Sequence, residues 1–233
     1  MMRSIYVSIC ALSCAMLLLL PAAAWGHGTP IDISIDGNDK VHAHVGEHGE
    51  LTLVLGSWFT TMPGVGVSSA ANGLVNGDPV RFDVLRELLY YNGTTGEVTA
   101  PSAATTLFME NPAGSTLYEI DGSSGVQTGM LWGAYNGTPG WHSHGAYELE
   151  LGSDPAGAYG IVLRALVDGH EPSDPFLLAF NRGLTHSAFN NTAVPALMAA
   201  MVPEPATWAL ALPLAGLALA AARRRVQAQR ANV

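Results

Sequence analysis

The chain has 233 residues, a formal net charge of −9 and only 12% charged residues. Between residues 27 and 202, eighteen Asp and Glu stand against five Lys and Arg, so this part carries a net charge of −13. Such an acidic protein repels phosphate backbones, which argues against a nucleic-acid-binding function and suits the binding of cations.

Residues 1–26 have the layout of a secretory signal peptide. Arg3 precedes an apolar stretch that is too short to remain as a membrane span, and small residues follow it. Ala24 and Gly26 satisfy the small-x-small rule of signal peptidase, so we expect cleavage before His27. Cleavage after Ala24 is the alternative.

Both cysteines of the chain, Cys10 and Cys14, lie inside this signal. The exported chain therefore has no disulfide, thiolate metal site or cysteine nucleophile available. Burial of apolar side chains has to stabilise the domain, and the roughly 175 residues that remain are enough for one core.

From Ile31 onward, apolar and polar residues alternate with a period of two, which is typical of strands with one buried face. The segments IDISID and VHAHV, joined by a Gly-Asn-Asp turn, predict a β-hairpin. Turn-forming residues then recur about every 8–15 residues. This pattern predicts that residues 27–186 form an antiparallel β-sandwich of the immunoglobulin or jelly-roll type.

Two segments are less regular. Residues 79–91 fit a helix capped by Asp78 and stopped at Gly93, but they also fit a strand. The strand is preferred because the flanking segments are β. Residues 187–201 are interpreted as a linker.

Two His-x-His pairs stand out, His42 with His44 and His142 with His144. In both segments the apolar neighbours have the opposite parity, so a strand would place the histidines away from the core. Residues i and i+2 of a strand point to the same side about 6–7 Å apart. Two imidazoles in this relation can bind one metal ion, and imidazole suits zinc or copper better than calcium or magnesium.

The sequence leaves two arrangements of these pairs open. They can meet as one four-ligand zinc site, or they can form two half-sites completed by Glu47, His48 or Glu148. His27 is a further candidate ligand, because after cleavage its ring and its α-amino group can chelate copper together with a second histidine.

Residues 202–225 read VPEPATWALALPLAGLALAAARRR. The apolar part is about 17 residues long, which is just enough to span a bilayer. The arginines belong on the cytoplasmic side, so the folded domain is expected outside the inner membrane and residues 226–233 inside as a tail.

Pro203, Glu204 and Pro205, the apolar span, and Arg223, Arg224 and Arg225 resemble in this order the PEP-CTERM sorting signal. The resemblance implies that an exosortase recognises the tripeptide in the membrane-bound precursor. It also implies delivery to the cell surface or extracellular matrix of a Gram-negative bacterium that makes exopolysaccharide. The tail after Arg225 is longer than is usual in that family. The resemblance implies an address and leaves the activity open.

Three segments of the domain, HGTPIDISID, WHSHGAYELEL and PSDPFLLAFNRGL, more weakly resemble PEP-CTERM proteins that are repressed by the zinc-uptake regulator. This resemblance implies a protein made when zinc is scarce, which captures or holds zinc at the cell surface.

The leading interpretation is therefore a non-enzymatic zinc-binding surface protein; no nucleophile elbow or phosphate-binding glycine loop occurs in the sequence. One alternative is an adhesin that binds matrix polysaccharide by stacking aromatic rings on sugars. The aromatic candidates are Trp58, Tyr90, Tyr91, Trp132, Tyr135 and Trp141. A remote alternative is a copper-dependent polysaccharide oxidase that uses His27.

Replacing Pro203, Glu204 and Pro205 with alanine should leave the protein in the inner membrane with its arginine tail attached, because the exosortase no longer recognises it. Fractionation of cells followed by mass spectrometry of the C-terminus measures this. Release of the variant as efficiently as the wild type would contradict the sorting interpretation.

Overall fold

The computed structural model describes residues 30–54, 56–68 and 73–201. These residues are mostly β-strand, arranged in sandwich-like sheets, with short helices near residue 200. The predicted signal peptide, His27, the sorting motif, the C-terminal span and the tail all lie outside the described residues.

The smallest sheet has four strands and carries His42, His44 and His142. The two central strands run parallel to each other, and each outer strand runs antiparallel to the central strand beside it. In spatial order the strands are β13 (Trp141–Ser143), β6 (Val65–Val67), β1 (Ile31–Ile35) and β2 (Val41–Val45).

A second sheet has five strands, all antiparallel to their neighbours. In spatial order they are β11 (Leu117–Asp121), β10 (Thr106–Glu110), β14 (Ala146–Glu150), β5 (Ser57–Thr60) and β4 (Thr52–Val54).

The third and largest sheet has seven strands. Its main path is β12 (Gln127–Ala134), β7 (Pro79–Val84), β15 (Gly157–Val167), β16 (Phe176–Arg182) and β3 (Gly49–Glu50). Two further strands, β8 (Leu89–Asn92) and β9 (Val98–Thr99), extend from the first half of β15.

One apolar core lies between the three sheets. The four-stranded sheet contributes Ile31 and Ile33, the five-stranded sheet Tyr147, and the seven-stranded sheet Phe82 and Phe180, and these side chains are at most 1% exposed. Burial of a large apolar side chain contributes about 1.5–3 kcal/mol. Such a shared core can therefore stabilise the domain without disulfides.

The segment predicted as a linker is structured. It forms α1 (His186–Ala188), a π-helical turn (Phe189–Ala193) and α2 (Val194–Met201). Phe189 and Leu197 are buried against Ala158, Val162 and other residues on the outer face of the seven-stranded sheet. The helices form here because β15 is apolar on both faces and its second face needs a cover. No helix in residues 30–54, 56–68 and 73–201 has the length and apolar character needed to cross a membrane.

The predicted hairpin is confirmed. β1 and β2 pair with Ile31 opposite Val45 and Ile35 opposite Val41, and Asp36 to Lys40 form the turn. The preference for strand over residues 79–91 is also confirmed, since this segment contains β7 and the start of β8.

The period-two alternation of residues 141–151 predicts one continuous strand, and this prediction is wrong, because the segment contains two strands in different sheets. The chain leaves the four-stranded sheet after Ser143 and enters the five-stranded sheet at Ala146. Gly145 lies at the crossing, where a Cβ atom would collide with the Glu110 carbonyl and the Trp132 indole. This close packing needs glycine and bends the chain from one sheet to the other.

His48 joins the helical segment to the sheets. Its Nδ1 atom accepts a hydrogen bond from the Ala179 amide at 3.3 Å, and its ring meets Phe189 edge-on at 6.2 Å. Burial lowers the pKa of His48 below the ordinary value of 6.5, because the charged imidazolium loses solvation there.

The folded state therefore favours neutral His48, whereas the unfolded chain takes up the proton at an ordinary pKa. This contribution to stability is fully present above the unfolded pKa and is lost as the pH falls below it toward the folded pKa. We expect the free energy of unfolding to fall between pH 7 and pH 5 more steeply for the wild type than for His48→Gln. Urea unfolding across this range measures it, with exposed His186→Gln as the control, and identical pH profiles for wild type and His48→Gln would contradict the assignment.

Candidate metal site

His42 and His44 lie on one outer strand of the four-stranded sheet, His142 lies on the other, and His144 directly follows the end of that strand. The sheet register places His44, Asp32, Gly66 and His142 in one row, each directly opposite the next. Neighbouring strands are about 4.8 Å apart, so His44 and His142 are separated by roughly 14 Å along this row. The register thus separates the pairs, and of the two predicted arrangements it favours half-sites.

His142 and His144 form the tighter pair. Their ring centroids are 4.4 Å apart with an angle of 34° between the ring planes. Both rings point at Gly64, where an added Cβ atom would lie 2.9 Å from His142 Cδ2 and 3.0 Å from His144 Cε1. The absence of a side chain at Gly64 therefore makes room for two imidazoles.

A backbone carbonyl fixes the tautomer of His144. The Nδ1 atom of His144 lies 2.9 Å from the Thr61 carbonyl oxygen. Because a carbonyl can only accept, Nδ1 carries the hydrogen and donates it. In neutral His144 the Nε2 atom then has the free lone pair, which is the usual arrangement of a metal-binding histidine with an outer hydrogen-bond partner.

The loop beneath the rings is held from both sides. The Tyr147 hydroxyl donates to the Pro63 carbonyl at 3.4 Å, and the Ile31 amide donates to the Gly64 carbonyl at 2.9 Å. The bond between Met62 and Pro63 is a cis peptide. Thr61 and Gly64 are therefore positioned by the core and by β1, and they position the two histidines in turn.

The other pair, His42 and His44, is exposed on β2, as the hairpin predicted. His42 Nε2 lies 3.0 Å from Asp36 Oδ2, so the carboxylate accepts from the ring. The hydrogen bond from His42, together with the amides of Lys40 and Asn38, holds the pKa of Asp36 well below its usual range. Asp36 orients His42, but this pair has a more open setting than His142 and His144.

The remaining predicted ligands that the structure describes lie outside the four-stranded sheet. His48 is engaged by Ala179, and Glu47 is exposed in the loop after β2. Glu148 lies in the five-stranded sheet opposite Phe59 and Phe108. His170 Nδ1 lies 2.6 Å from Asp39 Oδ1, between two loops. Within the described residues, no group of three or more His, Cys, Asp or Glu side chains converges on one metal position.

Most of the aromatic residues proposed for sugar stacking belong to the core. Tyr90, Tyr91, Trp132 and Tyr135 are buried. Trp58 and Trp141 remain partly exposed, and Arg182 covers the ring of Trp58 at 5.4 Å.

Sequence reasoning missed Thr61, Gly64 and Asp36. The glycines and the proline of the segment MPGVG, residues 62–66, are typical of a turn. No pattern within this segment indicates that histidines about eighty residues later pack against it. Comparison with protein family models, with curated proteins and with solved structures found no match.

The substitution Gly64→Ala should displace both rings and destabilise the fold by about 1–3 kcal/mol, because the new methyl group overlaps them. Gly37→Ala is the matched control, since nothing lies within 4 Å of a Cβ atom there. The loss of stability caused by Gly64→Ala should be smaller when His142 and His144 are both alanine. Denaturant unfolding of the four proteins of a double-mutant cycle measures this difference. An undiminished cost in that background would contradict the described packing.

Proposed function

We propose that this chain is an exported, non-enzymatic surface protein that binds zinc at the His142–His144 pair. The observation that carries the proposal is the pair itself, with two imidazoles 4.4 Å apart and a backbone carbonyl that leaves Nε2 of His144 available. Zinc takes such nitrogens at about 2.0–2.1 Å and fills its remaining positions with water or further ligands.

The position of the pair on the sheet supports this proposal. On β1, Ile31 and Ile33 face the core, so Asp32 and Ser34 face outward. His142 is in the same register row as Asp32 and therefore lies on the outward face. Occupation of the pair by a metal therefore does not require the core to rearrange. The net charge of −13 between residues 27 and 202 further raises the local concentration of divalent cations.

His42 and His44 form a second, weaker half-site in this proposal. The contact of Asp36 with His42 gives the carboxylate–histidine arrangement found behind many metal ligands. Their exposed position on an outer strand leaves both side chains freer to move, so ordering them on a metal costs more conformational entropy.

The cellular address in the proposal comes from the termini of the sequence. A signal peptide, the tripeptide from Pro203 to Pro205, an apolar span and an arginine cluster are the features of an exosortase substrate. The folded part reaches Met201, and Arg86 donates to the Ala200 carbonyl at 2.8 Å. The domain thus extends to the residue before Val202, with which the sorting segment begins. The fold itself we propose to be of the immunoglobulin or jelly-roll kind, which the sandwich-like sheets support.

Zinc titration of the exported protein, purified without an affinity tag, tests the metal site. His142→Ala/His144→Ala should lower zinc affinity at least tenfold, about 1.4 kcal/mol, because both ring ligands are lost. His42→Ala/His44→Ala should lower it less, and His186→Ala should leave it unchanged. Affinity should also fall in acid, since protons compete for the same nitrogens.

Circular dichroism and thermal unfolding show whether each variant keeps its fold. Equal zinc affinity of the wild type and folded His142→Ala/His144→Ala would overturn the proposed function.

A further inference from the structure

The turn between β12 and β13 contains the pair Asn136 and Gly137. In an Asn-Gly pair the backbone nitrogen of the glycine can attack the side-chain carbonyl carbon of the asparagine, because the glycine has no Cβ atom to hinder the approach. The sequence contains four such pairs, and the structure describes those at Asn76, Asn92 and Asn136. Asn72, which begins the fourth, lies outside the described residues.

Two of these pairs have identical neighbours. Residues 91–94 and residues 135–138 both read Tyr-Asn-Gly-Thr. In both segments the asparagine Oδ1 atom accepts a hydrogen bond from the threonine amide, at 2.8 Å from Thr94 and at 3.0 Å from Thr138. Such a bond draws electron density from the side-chain carbon and stabilises the negative charge that develops on Oδ1 during the attack. The two segments therefore differ in reactivity only through the rest of the fold.

The attacking nitrogen is engaged in two of the three described pairs. The Gly77 amide donates to the Tyr135 carbonyl at 2.7 Å, and the Gly93 amide donates to the Ala156 carbonyl at 3.1 Å. The Gly137 amide has no hydrogen-bond acceptor among the described residues. An attack by Gly77 or Gly93 must first break a hydrogen bond, whereas an attack by Gly137 breaks none within this part of the chain.

The surroundings of position 136 favour the reaction further. Asn136 is exposed, so water reaches it, whereas Asn92 is half-buried. The φ angle of Gly137 is +76°, which disfavours residues with a side chain, and a Cβ atom there would lie 3.0 Å from the Cβ atom of Asn76. The fold therefore requires glycine at this position, and glycine is the residue type that makes Asn136 reactive.

We propose that Asn136 deamidates spontaneously in the folded protein and that the fold protects Asn76 and Asn92. The Gly137 nitrogen loses its proton and bonds to Cγ of Asn136, while the bond from Cγ to the side-chain nitrogen breaks and ammonia leaves. Water then opens the resulting cyclic imide at either carbonyl, which gives aspartate or isoaspartate. The product adds a negative charge to the turn before β13, and the reaction does not depend on zinc binding.

Peptide mapping by mass spectrometry measures the deamidation rate of each asparagine in the purified protein at neutral and at mildly alkaline pH. In the folded protein we expect Asn136 to react at least about tenfold faster than Asn76 and Asn92, because these two require a hydrogen bond to break first. All rates should rise with pH, since the attacking amide must lose its proton. In guanidinium chloride the rates of Asn136 and Asn92 should agree within about twofold, because identical neighbours leave little structural difference in the unfolded chain.

Asn136→Gln is the matched variant, because its longer side chain has to close a larger ring and reacts far more slowly. Enzymatic methylation of isoaspartate should therefore label this turn in the incubated wild type and leave it unlabelled in Asn136→Gln. Equal rates of Asn136 and Asn92 in the folded protein would overturn the inference. A difference that persists undiminished in guanidinium chloride would also overturn it, because the sequence and not the fold would then set the rate.

Discussion

Side chains alternate between the two faces of the four-stranded sheet, and this alternation decides where the candidate ligands on its strands lie. Ile31 and Ile33 are 1% and 0% exposed in the core, so Asp32 must point the other way. Register carries this parity from strand to strand, through Gly66 to His142. Burial of apolar residues thus places His44 and His142 on the outer face of this sheet.

In the seven-stranded sheet, the same alternation of side chains buries apolar residues on both faces. β15 sends Tyr159, Ile161 and Leu163 into the shared core and Ala158 and Val162 toward the helical segment. Both faces are apolar, so the strand reads as a continuous apolar run and needs a layer on each side. The helices at residues 186–201 supply the second layer, and Gly160 leaves room for Leu197 against it.

Local patterns could be predicted from the sequence, and long-range placement could not. The hairpin, the strands within residues 79–91 and the buried parity of Tyr147 and Leu149 follow from period-two alternation and turn residues. The bend at Gly145 follows from the distant Trp132 and Glu110, and the helical packing of residues 187–201 follows from an uncovered sheet face elsewhere.

In the candidate site, too, local features could be predicted from the sequence and long-range contacts could not. Strand parity predicted that His142 and His144 share a side, and their rings do meet. The separation of this pair from His42 and His44 depends on the insertion of β1 and β6 between them, which is a property of sheet order. The support from Thr61 and Gly64 depends on contacts between segments about eighty residues apart in the chain, which no spacing rule encodes.

A crystal structure of the protein with zinc, using anomalous scattering at the zinc absorption edge, measures most directly whether His142 and His144 bind the ion. A zinc peak is expected at about 2.0–2.1 Å from one ring nitrogen of His142 and from Nε2 of His144. The hydrogen bond from His144 Nδ1 to the Thr61 carbonyl should be retained. Zinc bound elsewhere on the domain, with the His142–His144 pair empty, would contradict the proposed site.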